Sequence, residues 1–354
     1  MRTRGRLAAI LATLLLSGVP LRAGRTYTPL APEFPQNTVW LTSKPLTLKQ
    51  VRLRRVVLVA FLSTANLNSV RALAALKAWN ERYELNGLLI VGVHTPEFGF
   101  QKDPLLVRAA LKRLGVRFPV FMDNNRTYWQ AMGNDGWPSF ILIDYKTHLI
   151  FDHLGEGGYS DFEREIRNAI NTAGFALPDI PELFPDPRDL DCGAMTTDIS
   201  LGLRQGHTLP MAKALGPRAM LTSARDGETA YAGKWDIEPY DLRLAQKNPE
   251  QSALLRLIYR GSHAFAVLSP PVAKPGVFFV RQDNMWLHSG NAGKDVQFDD
   301  DGRSYVTSRA PRLFNLTQNP NDTLHELTVI PEQMGSAIYG FSFSDHCLSK
   351  DLPQ

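Results

Sequence analysis

The stretch Val56–Trp79 constrains this chain most. Val56-Val57-Leu58-Val59-Ala60-Phe61 is a continuous apolar, β-branched run, the pattern of a strand buried on both faces. It turns through Ser63-Thr64-Ala65-Asn66 into a segment with apolar residues at Leu73, Leu76 and Trp79, which repeat as a helix requires. A strand that feeds a helix this way presents free N–H groups and a positive dipole end at the turn. In redox proteins that turn lowers the pKa of a cysteine in a Cys-x-x-Cys pair. Here the two places three apart hold Asn66 and Ser69, and neither offers sulfur.

With 354 residues the chain is long enough for two domains. The formal charge of +4 is small for that length. Arg52, Arg54 and Arg55 form the sharpest basic cluster beyond the first residues, and it reads as a solvated face, so no nucleic-acid partner is expected. Residues 1–23 read as a signal peptide. Arg2, Arg4 and Arg6 form a basic start, Leu7 to Leu16 an apolar core too short to span a bilayer, and Ala23 a small residue at the cleavage point. Export to the periplasm or cell envelope follows, which places the two cysteines, Cys192 and Cys347, in an oxidising compartment. They are either bonded or two buried thiols. A bridge closing so long a loop would contribute about 5 kcal/mol at most.

Residues 24–175 alternate strand and helix patterns, as in an α/β unit with a mostly parallel sheet and an antiparallel edge hairpin around Asp144–Thr147. Residues 40–48 suggest a short hairpin ahead of the first central strand. Residues 176–191, with Pro178, Pro181, Pro185 and Pro187, read as a Pro-rich linker. Residues 192–354 carry short β-rich runs and turn signals such as Asp301-Gly302, with no long helix, which predicts an antiparallel β-sandwich of jelly-roll type.

Two runs, Gly92-Val93-His94-Thr95-Pro96-Glu97-Phe98 and Gly155-Glu156-Gly157-Gly158-Tyr159, are specific. With Trp40-Leu41, Leu76-Lys77-Ala78-Trp79, Trp137-Pro138 and Ile143-Asp144, they make residues 24–175 resemble the exported TlpA-like thioredoxins (redoxin domains) that form the soluble C-terminal part of DipZ-type proteins. The second half is similar to that family's carbohydrate-binding-like sandwich through Asn291-Ala292-Gly293-Lys294-Asp295-Val296, Asp301-Gly302-Arg303 and Pro311-Arg312-Leu313-Phe314. The resemblance implies a thioredoxin-like fold and thiol–disulfide exchange. It also implies that the family's two cysteines correspond to Asn66 and Ser69, its buried acid to Ala60, the aromatic beside the site to Leu62 and its helix proline to Ala74. Exchange needs a thiolate, so no catalytic residue is expected and the redox centre reads as degenerate. By the same resemblance Pro138 would be cis and hold an extended peptide beside Thr64, Asn66 and Trp137. Alternatively, Pro138 only starts a strand and Trp137 packs at its rim.

Other candidates are weaker. His94 with Glu97 ends a strand where α/β sites form, yet it also belongs to the family signature. The eight histidines show no metal spacing, and Asp299-Asp300-Asp301-Gly302 lacks the spaced oxygens of a calcium loop, so no metal or cofactor is expected. Trp235, Trp286, Tyr240 and Tyr305 either stack on a sugar or pack in the sandwich core. The expected function is non-catalytic binding of an extended peptide or of an envelope thiol-transfer protein. The alternatives are an oxidoreductase that uses Cys192 or Cys347, and glycan binding by the sandwich.

Overall fold

A computed structural model describes residues 29–51, 55–177, 179, 181–184, 194–203, 213–214 and 225–345. The expected signal peptide over residues 1–23, Cys192 and Cys347, and Pro178, Pro185 and Pro187 of the expected linker lie outside the described residues. No helix of the described residues is long and apolar enough to cross a membrane.

The first part runs α1 (Leu48–Val51), β1 (Val56–Leu62), α2 (Leu67–Tyr83), β2 (Leu88–His94), α3 (Pro104–Arg113), β3 (Val120–Met122), α4 (Thr127–Ala131), β4 (Ser139–Ile143), β5 (Leu149–Leu154) and α5 (Tyr159–Thr172). The sheet order is β3-β2-β1-β4-β5. β1 pairs parallel with β2, and β2 with β3, while β4 runs antiparallel to both β1 and β5. This is a thioredoxin-like fold. The sheet departs from the mostly parallel one expected, because the antiparallel half begins a strand earlier. Asp123 ties the connection to the end of β2 through the His94 carbonyl and caps short α4 at the same place, so the chain re-enters the sheet from the end it left.

All seven residues of β1 are buried, as its uninterrupted apolar run requires. One face packs Leu58, Ala60 and Phe140 with Leu76, Trp79 and Phe162 of the helices. The other packs Val57, Val59 and Phe61 with Phe34, Phe121 and Trp129. The hairpin expected over residues 40–48 is absent. Trp40 instead bridges Phe121, and the Leu41 amide donates to the Val120 carbonyl at 2.8 Å, so this segment covers the edge strand β3. The segment then enters α1, where the Glu33 carboxylate accepts from the Leu48 and Lys49 amides. A cap donated from fifteen residues away leaves no local signature.

The second part is an antiparallel sandwich. Its strands are β6 (Ile199–Ser200), β7 (Lys213–Ala214), β8 (Thr229–Ala232), β9 (Trp235–Ile237), β10 (Leu242–Leu244), β11 (Leu254–Arg260), β12 (His263–Ser269), β13 (Gly276–Gln282), β14 (Met285–Trp286), β15 (Gln297–Phe298), β16 (Ser304–Ser308), β17 (Arg312–Asn315), β18 (Leu324–Pro331) and β19 (Ala337–Ser344). One sheet is ordered β17-β12-β19-β10-β9 with β6 beside β19, the other β15-β16-β13-β18-β11-β8-β7 with β14 beside β13. Every pair is antiparallel except β7–β8. Between the sheets lie Leu255, Leu257, Tyr259, Phe278, Phe314 and Phe341.

A smaller apolar cluster joins the two parts. Ala65 and Phe98 pack with Val267, Ala337 and Tyr339, flanked by Phe100, Tyr240 and Leu313. The Tyr339 ring stands edge-on to Phe98 and Phe100, each at 5.2 Å between centroids. The sandwich therefore lies against one flank of the turn between β1 and α2.

Candidate functional site

Asn66 is the N-cap of α2. Its backbone is extended and its side-chain oxygen accepts the Ser69 amide at 2.9 Å. Ser69 is almost completely buried, and its hydroxyl accepts the Ser63 amide at 3.2 Å. The two positions without sulfur thus tie the turn to the helix. Ala60, which the resemblance aligns with the family's acid, is buried opposite Gly92 and Phe140 in the sheet. Leu62 is also buried. Ala74 keeps its N–H, so α2 runs unbroken for 17 residues where a proline would interrupt it.

A second segment braces the turn. After β2 the chain bends through Thr95 and Pro96, and fully buried Gln101 locks the bend. Its side-chain oxygen accepts the Glu97 and Phe98 amides at 3.0 Å, and its nitrogen donates to the hydroxyls of Ser63 at 2.9 Å and Thr64 at 3.3 Å. His94 contacts the Thr64 hydroxyl through Nε2 at 3.3 Å, and burial pushes its pKa down to about 3, so it is neutral. Glu97 stands over the same turn. Burial, then the charge of Asp198 just before β6, raises its pKa to about 7, while hydrogen bonds from Ser63 and Asn66 and the charge of Arg126 act the other way. The loop after β2 thus places a carboxyl beside Ser63 and Asn66.

A third wall comes from the loops around α4. Asp123 caps that helix by accepting the Tyr128 and Trp129 amides at 3.2 and 2.8 Å. Arg126 has a left-handed backbone, φ 58°, and its guanidinium lies 5.1 Å from the Trp129 ring and 5.0 Å from the Trp137 ring. The two indoles pack at 4.8 Å. The Trp137–Pro138 bond is cis, Trp137 is half-buried and Pro138 is buried. No hydrogen bond to the Trp137 amide or carbonyl is present among the described residues.

Asn66, Glu97, Arg126 and Trp137 therefore form one continuous polar and aromatic rim. Thr64 stands apart from it, buried against His94 and facing the space between the two parts. The sequence left the roles of His94 and Glu97 open and missed Gln101, Arg126 and Asp198. Arg126 carries no local signal, since its place follows from a loop conformation that arginine rarely adopts. In the sandwich, Trp235 packs against the core and donates through Nε1 to the Ala232 carbonyl at 2.7 Å. Tyr240 joins the cluster between the two parts, and Tyr305 lies 6.1 Å from Phe279. Arg281 covers the Trp286 ring at 4.0 Å. Asp299 is engaged by Arg303, Nε to Oδ2 2.7 Å, at the hairpin tip.

The fold and this rim define a thioredoxin-like protein in which Asn66 and Ser69 fasten the start of the helix that follows β1. Over part of its length the chain is homologous to DipZ of Mycobacterium tuberculosis, with 35% identity over 165 residues, 44% of this chain and 24% of DipZ. It also matches NHL repeat-containing protein 2 of Bos taurus, 32% identical over 130 residues, 36% of this chain and 18% of that protein. It spans about a quarter or less of these relatives. No protein-family model matches the chain. Among solved structures, a thiol-disulfide isomerase from Corynebacterium glutamicum aligns with 40% of this chain and 96% of its own, at 18% identity and TM-score 0.36. A thioredoxin-family thiol:disulfide interchange protein from Chlorobium tepidum aligns with 41% and 97%, at 20% identity and TM-score 0.35.

Proposed function

We propose that this protein is an exported, non-catalytic binding module that holds an extended peptide, or a thiol-transfer protein of the cell envelope, against the rim formed by Asn66, Glu97, Arg126 and Trp137. The observation that carries this reading is the use of both former sulfur positions in the cap of α2. Asn66 and Ser69 spend their polar atoms on backbone amides, and a buried hydroxyl without a base cannot exchange disulfides. Recognition needs none of that chemistry. The Trp137 backbone keeps its donor and acceptor available for a strand-like partner, as β-augmentation requires. The Arg126 guanidinium beside it favours a peptide with an acidic side chain.

The test is an insulin-reduction assay on the mature protein with dithiothreitol, alongside a Ser69→Ala variant. Equal and negligible turnover in both is expected, and turnover above the Ser69→Ala control would sink the reading. Binding is then measured with the unfolded, alkylated insulin B chain as probe. Trp137→Ala should weaken it several-fold, and unchanged affinity would remove the rim from the proposal.

A further inference from the structure

The two parts of the chain enclose a cleft of about 530 Å³ on the far side of their apolar contact. That volume suits a ligand the size of a monosaccharide or dipeptide. Four cations line it: Arg71 from α2, Arg113 from the end of α3, Lys294, and Arg312 from β17. One carboxylate, Asp295, shares the lining, and it is already engaged by Arg312, Nη2 to Oδ1 2.9 Å, and by the Asn315 amide at 2.8 Å. Arg71 gives its Nε to Glu156 at 2.8 Å, and Glu156 also feels the buried Asp345. Its Nη2 is left buried without a hydrogen-bond partner among the described residues.

Arg113 and Lys294 have no ion-pair partner among the described residues. Partial burial, and then the charge of Arg312, hold the Arg113 guanidinium below its usual pKa against the opposing pull of Asp295. Like charges gathered from four separate segments repel one another, and an anion placed among them relieves that repulsion. Two further features shape what the anion is attached to. Asn315 lines the cleft with its Oδ1 closed off against Gly293, which leaves its amide nitrogen as the group that can donate to a ligand hydroxyl. Phe265, half-buried and stacked near His263 at 6.2 Å, gives a flat apolar surface for the body of the ligand.

We propose that this cleft binds a small hydroxylated organic anion, carrying a carboxylate or a phosphate, which both parts of the chain hold in common. The site is separate from the rim at Trp137, and its fate leaves the reading of that rim untouched.

The test is titration calorimetry on the full chain at low salt. Glucose 6-phosphate and gluconate are the probes, with glucose as the neutral control and inorganic phosphate as the charge-only control. Saturable binding of at least one organic anion is expected, with no binding of glucose and with affinity falling as salt rises. The double variant Arg113→Ala/Lys294→Ala breaks no native ion pair. It should keep the melting temperature of the unliganded protein and lose at least tenfold in affinity. Equal affinity in the double variant, or no saturable binding of either organic anion to the wild type, would overturn the proposal. So would inorganic phosphate binding as tightly as glucose 6-phosphate, because Asn315 and Phe265 would then have no part in it.

Discussion

Replacing Glu97 by glutamine should make the protein more stable at pH 8 and leave it nearly unchanged at pH 4. The carboxyl titrates from 4.5 in a free chain to about 7 in the folded one, chiefly through burial and secondly through Asp198. Between those values the unfolded chain has released the proton and the folded chain still holds it. The folded state binds more protons there, so stability is full below pH 4.5 and falls as pH rises toward 7. The displacement corresponds to about 3 kcal/mol, an upper bound because the side chain keeps some solvent access. Glutamine retains an oxygen for the Ser63 hydroxyl but cannot ionise. Urea unfolding at four pH values from 4 to 8, followed by tryptophan fluorescence, gives the comparison. The wild type should lose ground to Glu97→Gln steadily across the range, by up to about 3 kcal/mol at the alkaline end. Asp198→Asn in the wild-type background should move the midpoint of that loss to lower pH. Parallel profiles for wild type and Glu97→Gln, or a wild type that gains on the variant as pH rises, would refute the reasoning.

Other positions give simpler expectations. Asn66→Ala removes the cap of α2 and should cost about 1 kcal/mol in urea denaturation, whereas Asn66→Asp keeps a cap oxygen but sets a second carboxyl beside Glu97 and should raise the Glu97 pKa further. Glu163 is fully buried, where it accepts the Tyr83 hydroxyl and the Leu183 and Phe184 amides, so Glu163→Ala strands three donors. It should cost about 3 kcal/mol or more, with amides 183 and 184 losing protection from hydrogen exchange. Trp79, buried among Phe140, Tyr159, Phe162 and Phe184, should cost about 3–5 kcal/mol as Trp79→Ala by calorimetry. Tyr339→Ala empties the contact with Phe98 and Phe100 and should speed limited proteolysis between the two parts while each keeps its circular dichroism.

The fold was legible where periodicity and punctuation agreed. The apolar runs from Val56 and Leu88 became the central strands, and Pro104 and Gly115 bracketed α3. The direction of β4 was not legible, because it follows from Asp123 tying the connection to β2 and capping α4 there, and short helices leave weak patterns. The start of α1 depends on Glu33, far away in the chain. At the site, Asn66 and Ser69 could be found through the absence of sulfur. Gln101, Arg126 and Asp198 could not, since each earns its place only when a loop or the second sheet is folded against the turn. Thr64 was placed beside Trp137 through the resemblance; in the fold its hydroxyl meets His94 and Gln101, partners that lie thirty and more residues away in the chain.

The packing of Tyr339 on Phe98 and Phe100, with Ala65 beneath, has a geometric consequence. A free thioredoxin-fold unit can be approached from either side of its strand-to-helix turn. Here the sandwich covers one flank of that turn and leaves there only the small cleft beside Arg113 and Lys294, so a macromolecule is restricted to the half-space above Arg126 and Trp137. A large globular visitor must then meet the outer surface of the sandwich as well as the rim, whereas a slender one need touch only the rim. If the rim holds a partner as proposed, this geometry by itself favours unfolded segments and tails over folded surfaces.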